Sequence, residues 1–389
     1  MIPASDPPFD VLIVGAGLAG SVAANVLARQ GRRVALVDRW PSYPACFKAE
    51  KIEPDQADLL RSFGLLDSVL PHASQIREVR GAERGRVLQN RPVEQLGIFY
   101  QDIVNALRAA IPPEVERRIG HVESIETGAE SQRVTLAGGE RISARLVALA
   151  CGLRGDLLAG LGMQRRLIRE EQSLAFGFTI ERPDRRPFGF EAVTYYPTDC
   201  RERVAYLTLF RVGSVMRANL WVYWSAGDTS TRRFLRDPRN ELERLLPGVT
   251  RVVGDFLVSG RVETCRIDQY RVEEPVQPGV VLLGDAFQSA CPTTGLGLSK
   301  VFTDVDVLCR EYLPGWLSTP GMGVEKIARF YADPRKRALD DFALSQTAHN
   351  REMATNGTLA WGARRVRRRW RKRFAGWRDY LRLTTKLTA

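Results

Sequence analysis

The chain has 389 residues, 44% of them hydrophobic, so it can bury a large core. Its six cysteines form no Cys-x-x-Cys pair, which indicates a reducing, cytoplasmic compartment and predicts neither disulfides nor a metal site. Its apolar runs are much shorter than the roughly 20 residues that cross a bilayer, which excludes an integral membrane protein. Residues 361–389 carry +10 of the net charge of +12, so the remainder is nearly neutral and is not expected to bind nucleic acid.

The N-terminal segment predicts a βαβ unit. Asp10–Val14 is an apolar strand, Ser21–Gln30 has a helical pattern, and Arg33–Val37 is a second apolar strand that ends at Asp38. Strand, helix and parallel strand in this order are typical of a Rossmann-like domain.

A glycine-rich turn with GxGxxG spacing joins the first strand to the helix. Gly15 permits the tight turn, Gly17 lets a pyrophosphate approach the backbone, and Gly20 lets helix and strand pack closely. Asp38, 18 residues after Gly20, is placed to accept hydrogen bonds from a ribose. The pattern predicts a dinucleotide site without deciding between FAD and NAD, formed by Gly15, Ala16, Gly17, Leu18, Ala19, Gly20, Asp38 and the adjacent Arg39.

The middle of the chain alternates helical and strand patterns. Helices are expected over 55–70 and 102–110, and strands over 79–93 and in the stretch up to residue 150. Residues 172–270 are rich in alternating aromatic and β-branched positions and predict a largely antiparallel sheet. As a group these aromatics favour an apolar substrate, although each one by itself is more typical of sheet core: Phe176, Phe178, Tyr195, Tyr196, Tyr206, Phe210, Trp221, Tyr223 and Trp224.

A second glycine motif follows about 270 residues after the first. The buried strand Val280–Leu283 leads into the turn Gly284–Gly297, and a helix is expected from Leu298 to about Glu311. This Gly-Asp…Pro…Gly-x-Gly segment resembles the motif of the class A flavoprotein monooxygenases, the family of para-hydroxybenzoate hydroxylase and the ubiquinone-pathway hydroxylases. The resemblance implies that FAD is bound, that Asp285 contacts its ribityl chain, and that the glycine-rich helix start faces the isoalloxazine ring, through Gly284, Thr294, Gly295, Leu296, Gly297 and Leu298.

Further positions follow from the same resemblance, which covers roughly residues 8–345. Lys48 and Gln101 stand where such enzymes usually have arginines near FAD. The sequence departs from the family at Cys151 and Leu158, where an aspartate and an arginine associated with FAD and NAD(P)H binding are usual. NADPH or NADH remains the expected electron donor, and these departures weaken that expectation.

Gln288 occupies a position where many relatives have histidine, and no histidine of the chain lies in a recognised motif. The catalytic residues are therefore not assigned. This is compatible with flavin chemistry, in which the protein mainly binds substrate and excludes water.

The expected fold is α/β: a Rossmann-like FAD domain (1–75, 100–165 and 270–345), an inserted, mostly antiparallel β-sheet substrate domain (76–99 and 166–269), and C-terminal helices (346–389). The expected activity is that of an FAD-dependent monooxygenase which uses O2 and a flavin C4a-hydroperoxide to hydroxylate or epoxidise a small apolar, aromatic or isoprenoid substrate. The alternatives are a reductase of isoprenoid lipids, similar to the geranylgeranyl reductases, and a non-catalytic flavin-binding partner protein.

The basic C-terminal segment predicts an amphipathic helix. Its apolar stripe has helical spacing, with arginines on the other faces, and consists of Val366, Trp370, Phe374, Trp377 and Leu381. Such a helix can lie on an anionic membrane, here the inner face of the cell membrane, or pack on the body of the protein. The sequence leaves both alternatives open.

Overall fold

The computed structural model describes residues 8–153 and 155–370. Its strands form two sheets, one of seven and one of eight strands. In chain order they are β1 (Phe9–Val14), β2 (Val34–Asp38), β3 (Lys51–Ile52), β4 (Ser74–Glu83), β5 (Arg86–Gly97), β6 (Glu116–Ile119), β7 (Val122–Glu126), β8 (Gln132–Leu136), β9 (Arg141–Leu149), β10 (Gln164–Glu181), β11 (Ala192–Tyr195), β12 (Val204–Val212), β13 (Val215–Val222), β14 (Leu257–Glu273) and β15 (Val280–Leu282).

The helices cover the first sheet and one face of the second. They are α1 (Leu18–Arg29), α2 (Pro54–Ser62), α3 (Leu66–Val69), α4 (Tyr100–Ala109), α5 (Asp156–Gly160), α6 (Thr229–Arg236), α7 (Pro238–Leu245), α8 (Val249–Val253), α9 (Gly297–Asp306), α10 (Leu313–Leu317), α11 (Val324–Ala332), α12 (Pro334–Thr355) and α13 (359–370). A π-helical segment, Val307–Tyr312, joins α9 to α10.

Two expectations about helices need correction. The helix expected over 55–70 is divided into α2 and α3, because the backbone at Gly64 takes a left-handed conformation (φ +70°) that ends α2. The sequence pattern also predicts a helix break near Gly362, but the helix breaks at 356–358 and α13 runs through Gly362.

The first sheet has the strand order β6-β2-β1-β9-β8-β7, with β15 beside β9. The pairs β6–β2, β2–β1, β1–β9 and β9–β15 are parallel, whereas the pairs β9–β8 and β8–β7 are antiparallel. Val11 and Ile13 pack into one core and Leu12 and Val14 into another, which is why β1 is apolar on both faces. The carboxyl ends of β1, β9 and β15 meet at one edge, which brings the two glycine motifs together.

The second sheet has the order β14-β10-β13-β12-β11-β4-β5-β3 and is antiparallel except for the β11–β4 pair. Alternating residues of its central strands face opposite sides. Phe176 and Phe178 pack with Phe234 of α6, whereas Ala175 and Trp221 face the first domain. The sheet therefore has one face filled by helices and one face available for a ligand. The short β3 joins this sheet, although its residues lie in the 1–75 segment assigned to the FAD domain.

The first part of the basic tail contacts the body. Arg369 of α13 makes a two-point ion pair with Glu83 of β4, with Nη2 to Oε1 at 2.7 Å and Nε to Oε2 at 3.0 Å. Val366 and Trp370 remain about half exposed. The other members of the predicted stripe, Phe374, Trp377 and Leu381, lie outside the described residues. Between residues 8 and 370, no helix is long and apolar enough to span a bilayer.

Candidate active site

The three glycines of the first motif have different surroundings. Gly15 has φ +101°, and a Cβ there would lie 2.6 Å from the Ala150 carbonyl oxygen. A Cβ on Gly20 would lie 1.8 Å from the Gly15 carbonyl oxygen, so both positions require glycine for the chain to pack. A Cβ on Gly17 would meet only a ring carbon of Tyr43, at 3.9 Å. Gly17 therefore keeps open the space in front of the N-terminus of α1, where the first N–H groups have no intrahelical acceptor.

Asp38 lies at the end of β2, beside this turn. Its Oδ2 accepts a hydrogen bond from the Ala16 N–H at 2.6 Å and lies 3.1 Å from Nη2 of Arg108, while its Oδ1 accepts from the Trp40 N–H at 2.8 Å. Arg108 also donates to the Ala16 carbonyl oxygen at 2.6 Å. The carboxylate is thus fixed at the groove with Oδ1 still able to accept from a ribose hydroxyl.

A groove of about 370 Å³ extends from α1 past Asp38. Arg39 lines it and donates to Nδ1 of His121 at 2.9 Å, which requires that this nitrogen be unprotonated. Lys48, a predicted cofactor contact, also lines the groove. Tyr100 lies in its wall, whereas the adjacent Gln101 is not among the described residues that line it.

Lys48 is surrounded by aromatic and acidic groups. Its Nζ lies 3.4 Å from the Tyr43 hydroxyl oxygen and 5.2 Å from the centre of the Tyr100 ring. Burial by itself lowers the pKa of Lys48, but Tyr100, Tyr43 and Asp285 raise it by more than burial lowers it. The pKa is therefore above its ordinary value, and the ammonium stays charged. A buried cation between the groove and Asp285 is suited to an anionic or strongly polar ligand.

Asp285 lies where the dinucleotide groove meets a second cavity and lines both. Burial raises the pKa of its carboxyl group, and Lys48 and Lys300 oppose that shift. The preceding Gly284 has φ +58°, and its N–H donates to Asp304 at 2.8 Å. The hydroxyl of Tyr270 donates to the Asp285 carbonyl oxygen at 2.6 Å. These contacts fix the turn that carries the carboxylate.

A buried group of four charged residues supports this turn from below. Lys336 of α12 donates to Asp304 at 2.7 Å and lies 3.1 Å from Asp340, which also pairs with Lys300 of α9. All four side chains are at most 2% exposed. Gln288 is fully buried and donates to the Asp340 carbonyl oxygen, so it belongs to this support and does not line the cavities among the described residues.

The second motif continues into a loop that faces the second cavity. Thr294 ends a single 3-10 turn, Gly295 has φ +72°, and α9 begins at Gly297. Gln56 of α2 donates to the Gly295 carbonyl oxygen at 3.0 Å and holds the loop in place. Gly295, Gly297 and Leu298 line the cavity, whereas Leu296 does not among the described residues.

The second cavity, called here the substrate cavity, has a volume of about 460 Å³ and lies between this loop and the second sheet. It joins the dinucleotide groove at Leu18, Lys48, Tyr100, Leu153, Asp285 and Val301, which line both spaces. Of the aromatic residues noted in the sequence, Tyr206, Phe210 and Trp221 line it. Most of the others pack in the core, as expected for single residues of a sheet.

One polar group in the substrate cavity lacks a partner. Asn219 is 3% exposed, its side-chain amide opposes the rise that burial causes in the pKa of Glu50, and no described residue donates to its Oδ1. Arg217 pairs with the same carboxylate at 2.8 Å. Because a carboxylate attracts an N–H and repels an oxygen, Glu50 favours the amide nitrogen of Asn219 on its side and leaves Oδ1 as an acceptor.

The two departures from the family pattern lie in different environments. Cys151 follows β9 and lines the dinucleotide groove, and burial raises the pKa of its thiol. Leu158 is buried in the hydrophobic core and contacts no groove. Arg165 of β10 donates to the carbonyl oxygens of Gly152 and Leu153, so an arginine does hold this loop, but from another strand.

Some site residues were not found from the sequence. Tyr43 and Tyr100 line the groove and Arg108 fixes Asp38 through contacts that sequence spacing does not reveal. Asn219 and Glu50 come together only across two domains. The one sequence signal for these residues is the position of Arg108, which stands in the last turn of α4 on its buried face. No cluster of His, Cys, Asp and Glu suited to a metal occurs among residues 8–153 and 155–370.

Together, the Rossmann-like sheet, the open glycine turn, the fixed Asp38 and the continuous path to Asp285 fit an extended dinucleotide whose second end reaches an apolar cavity. That arrangement defines an FAD-dependent oxidoreductase. The family model for the FAD binding domain matches residues 8–312. The chain belongs to this family, that of the class A FAD-dependent monooxygenases, and is an FAD-dependent monooxygenase that hydroxylates or epoxidises its substrate.

The chain is similar to kynurenine 3-monooxygenase of Salinispora tropica, with 27% identity over 329 residues, which are 77% of this chain and 71% of the relative. Its fold is similar to that of p-nitrophenol 4-monooxygenase PnpA from Pseudomonas putida DLL-E4, with a TM-score of 0.75 at 20% identity over 95% and 94% of the two chains. It is also similar to P. aeruginosa PqsL in complex with 2-aminobenzoylacetate, with a TM-score of 0.69 at 20% identity over 89% and 97%.

Proposed function

We propose that the enzyme oxygenates a largely apolar, aromatic substrate held in the substrate cavity, with NADPH or NADH as electron donor. The observation that carries the proposal is the cavity itself, walled by Phe47, Trp221 and Leu298 and open to the dinucleotide groove at Asp285. In the overall reaction one oxygen atom of O2 enters the substrate, and the other is reduced to water by two electrons from the nicotinamide. FAD supplies the electron transfer between nicotinamide and O2.

The proposed FAD contacts follow the groove. The N-terminus of α1 at Gly17 and Leu18 binds the pyrophosphate, and Asp38 accepts from a ribose hydroxyl. Asp285 accepts from the ribityl chain, beside the cationic Lys48. The backbone of Gly295–Leu298 would hold the isoalloxazine ring, which would supply the redox chemistry beside the substrate cavity.

The chain's own residues exclude water and orient the substrate. The cavity wall is mainly aromatic and aliphatic, which favours a planar apolar compound. The free Oδ1 of Asn219 requires a donor, because an unsatisfied buried acceptor costs about 1–3 kcal/mol. We therefore propose that the substrate carries an O–H or N–H group that donates to Asn219. Kynurenine and p-nitrophenol, which stand in the names of two related enzymes, and 2-aminobenzoylacetate, which is in complex with PqsL, are aromatic and support this substrate class.

The test is to mix FAD-loaded protein anaerobically with NADPH or NADH, follow the flavin absorbance near 450 nm, and then admit O2 with a panel of aromatic compounds. Bleaching followed by an oxygenated product supports the proposal. Reduction without any O2 consumption would instead indicate a reductase, and absence of bleaching with both nicotinamides would refute them as donors.

The Asn219 contact is tested with a matched pair of probes, 2-naphthol and 2-methoxynaphthalene, titrated into the FAD-loaded protein. We expect 2-naphthol to bind more tightly in the wild type and to lose that advantage in Asn219→Leu. Equal affinities of the two probes in the wild type would refute a donor at this position.

We also propose that α13 and the residues after it bind anionic membranes, where an apolar substrate is concentrated. The supporting observation is that Val366 and Trp370 stay exposed on a helix with a basic face.

A further inference from the structure

A third cavity is lined on one side by the loop of Thr293, Thr294 and Gly295 and elsewhere by arginines from distant parts of the chain. Its volume is about 390 Å³, and Arg91 of β5 together with Arg365 and Arg368 of α13 line it. We call it the arginine cavity. Asn350 of α12 forms another part of its wall and donates to the Thr293 carbonyl oxygen at 2.9 Å.

The arginine cavity and the substrate cavity are direct neighbours. Lys51, Glu53, Tyr206, Thr208 and Gly295 line both. The hydroxyl of Tyr206 donates to the Thr293 carbonyl oxygen at 3.1 Å, so its ring forms a wall one side chain thick between them. A molecule with one end in the arginine cavity is therefore next to the loop at Gly295.

Four cationic side chains, Lys51, Arg91, Arg365 and Arg368, line this cavity, against the two carboxylates of Glu53 and Asp199. Its acids are already engaged, since Glu53 pairs with Lys51 at 2.9 Å and Asp199 makes an ion pair with Arg201. Among residues 8–153 and 155–370, neither Arg91 nor Arg368 makes an ion pair, and the Glu83 carboxylate, which attracts Arg368, is paired with Arg369.

Arg368 is the most enclosed of the three arginines. Its guanidinium lies 5.3 Å from the centre of the Tyr196 ring, and burial lowers its pKa. The neighbouring Glu83 is already paired with Arg369. A partly desolvated guanidinium without an ion-pair partner among the described residues is a favourable place for a carboxylate or phosphate, because such pairs form charge-assisted and often bidentate hydrogen bonds.

We propose that the arginine cavity binds an anionic group, a carboxylate or a phosphate, of a small molecule that the enzyme uses. The inference rests on the proposed function for its meaning. If the bound group is a carboxylate, it is part of an acidic aromatic substrate whose apolar part extends past Tyr206 into the substrate cavity. If the bound group is a phosphate, it is part of the nicotinamide donor, which must bring its hydride to the flavin ring. In both cases Arg368 and Arg91 select the ligand by charge, and α13 completes the site.

The experiment uses the full, FAD-loaded chain and a matched pair of variants. Arg368→Gln removes one charge from the cavity, and Arg367→Gln removes the same charge from the exposed side of the same helix. The probes are 1-naphthoate and the neutral 1-naphthylmethanol, with dissociation constants measured from flavin fluorescence and from the shift in thermal unfolding. NADPH and NADH are compared by the concentration dependence of anaerobic flavin reduction.

If the anion is a substrate carboxylate, Arg368→Gln weakens 1-naphthoate binding by about tenfold or more, and the double variant Arg91→Gln/Arg368→Gln weakens it further. Binding of 1-naphthylmethanol and of the nicotinamides stays unchanged. If the anion is a phosphate, the apparent dissociation constant for NADPH or NADH rises instead. Arg368→Lys, which keeps the charge, retains part of the affinity in either case.

The proposal is overturned if Arg368→Gln, with unchanged circular dichroism, binds 1-naphthoate and both nicotinamides as Arg367→Gln does. Loss of all three affinities together with lower thermal stability in Arg368→Gln, but wild-type affinities in Arg91→Gln, would also overturn it, because Arg368 would then serve only to dock α13. These binding outcomes do not depend on oxygenation, so the proposed function can fail separately.

Discussion

Replacing Gly17 by valine is expected to abolish FAD binding while the fold survives. Gly17 has φ −73°, which any residue adopts, and the space beside it is open as far as the Tyr43 ring, 3.9 Å from a Cβ. The added side chain would stand over the first amides of α1. If it keeps two N–H groups from the pyrophosphate, binding loses about 3–6 kcal/mol, since each hydrogen bond to a charged group contributes about 1.5–3 kcal/mol. The dissociation constant of FAD then rises by roughly 10²–10⁴-fold.

The assay is titration of the apoprotein with FAD, followed by the quenching of flavin fluorescence, together with thermal unfolding of the apoprotein. Gly20→Ala serves as the contrasting variant, because its Cβ would lie 1.8 Å from the Gly15 oxygen and must distort the turn, which lowers apoprotein stability. Gly31→Ala is the neutral control: its φ of +71° costs about 1–2 kcal/mol of stability, but it lies beyond α1 and leaves FAD affinity unchanged. The reasoning would be refuted if Gly17→Val bound FAD normally, or if it unfolded the apoprotein as Gly20→Ala does.

Three further predictions concern Asp285, the buried charges and the tail. The raised pKa of Asp285 means that the fold without FAD disfavours its ionised carboxylate, so the stability of the apoprotein falls as pH rises through this pKa. Asp285→Asn should therefore raise apoprotein stability at neutral pH and weaken FAD binding about 10–100-fold. A destabilised apoprotein would contradict this. Lys336→Met leaves the buried carboxylates of Asp304 and Asp340 with one lysine and should lower the free energy of unfolding, measured with denaturant, by about 3–5 kcal/mol. Arg337→Met, at an exposed position, should lower it by less than about 0.5 kcal/mol. Equal losses would show that the buried charges do not stabilise the fold. Trp370→Glu should reduce co-sedimentation with anionic vesicles and leave neutral vesicles unaffected, and wild-type sedimentation of this variant would count against membrane docking by the stripe.

The first glycine motif and Asp38 could be located from the sequence because their geometry is local. A strand, a turn that needs glycine at Gly15, and a helix start within a few residues of each other leave little conformational choice. The acid at the end of the second strand reaches the same edge because parallel strands end together. The same reasoning places Asp285 after β15, on the edge shared with β1.

Side-chain direction within a helix could not be predicted at the level of single residues. Gln101 was expected at FAD, whereas Tyr100 is the residue that lines the groove. Neighbours on an α-helix point about 100° apart, so an error of one residue in phase turns a side chain away from the site.

The sequence by itself determined the α/β class, the dinucleotide turn and the second flavin motif, because these depend on backbone geometry written into short segments. Only the tertiary structure decided which side chains complete the site. Arg108 meets Asp38 across 70 residues of chain, Asn219 meets Glu50 across two domains, and Arg368 reaches the wall behind Gly295 from the C-terminal helix. Contacts of this kind depend on how the sheets and helices pack together, and a linear pattern of residues carries no record of that packing.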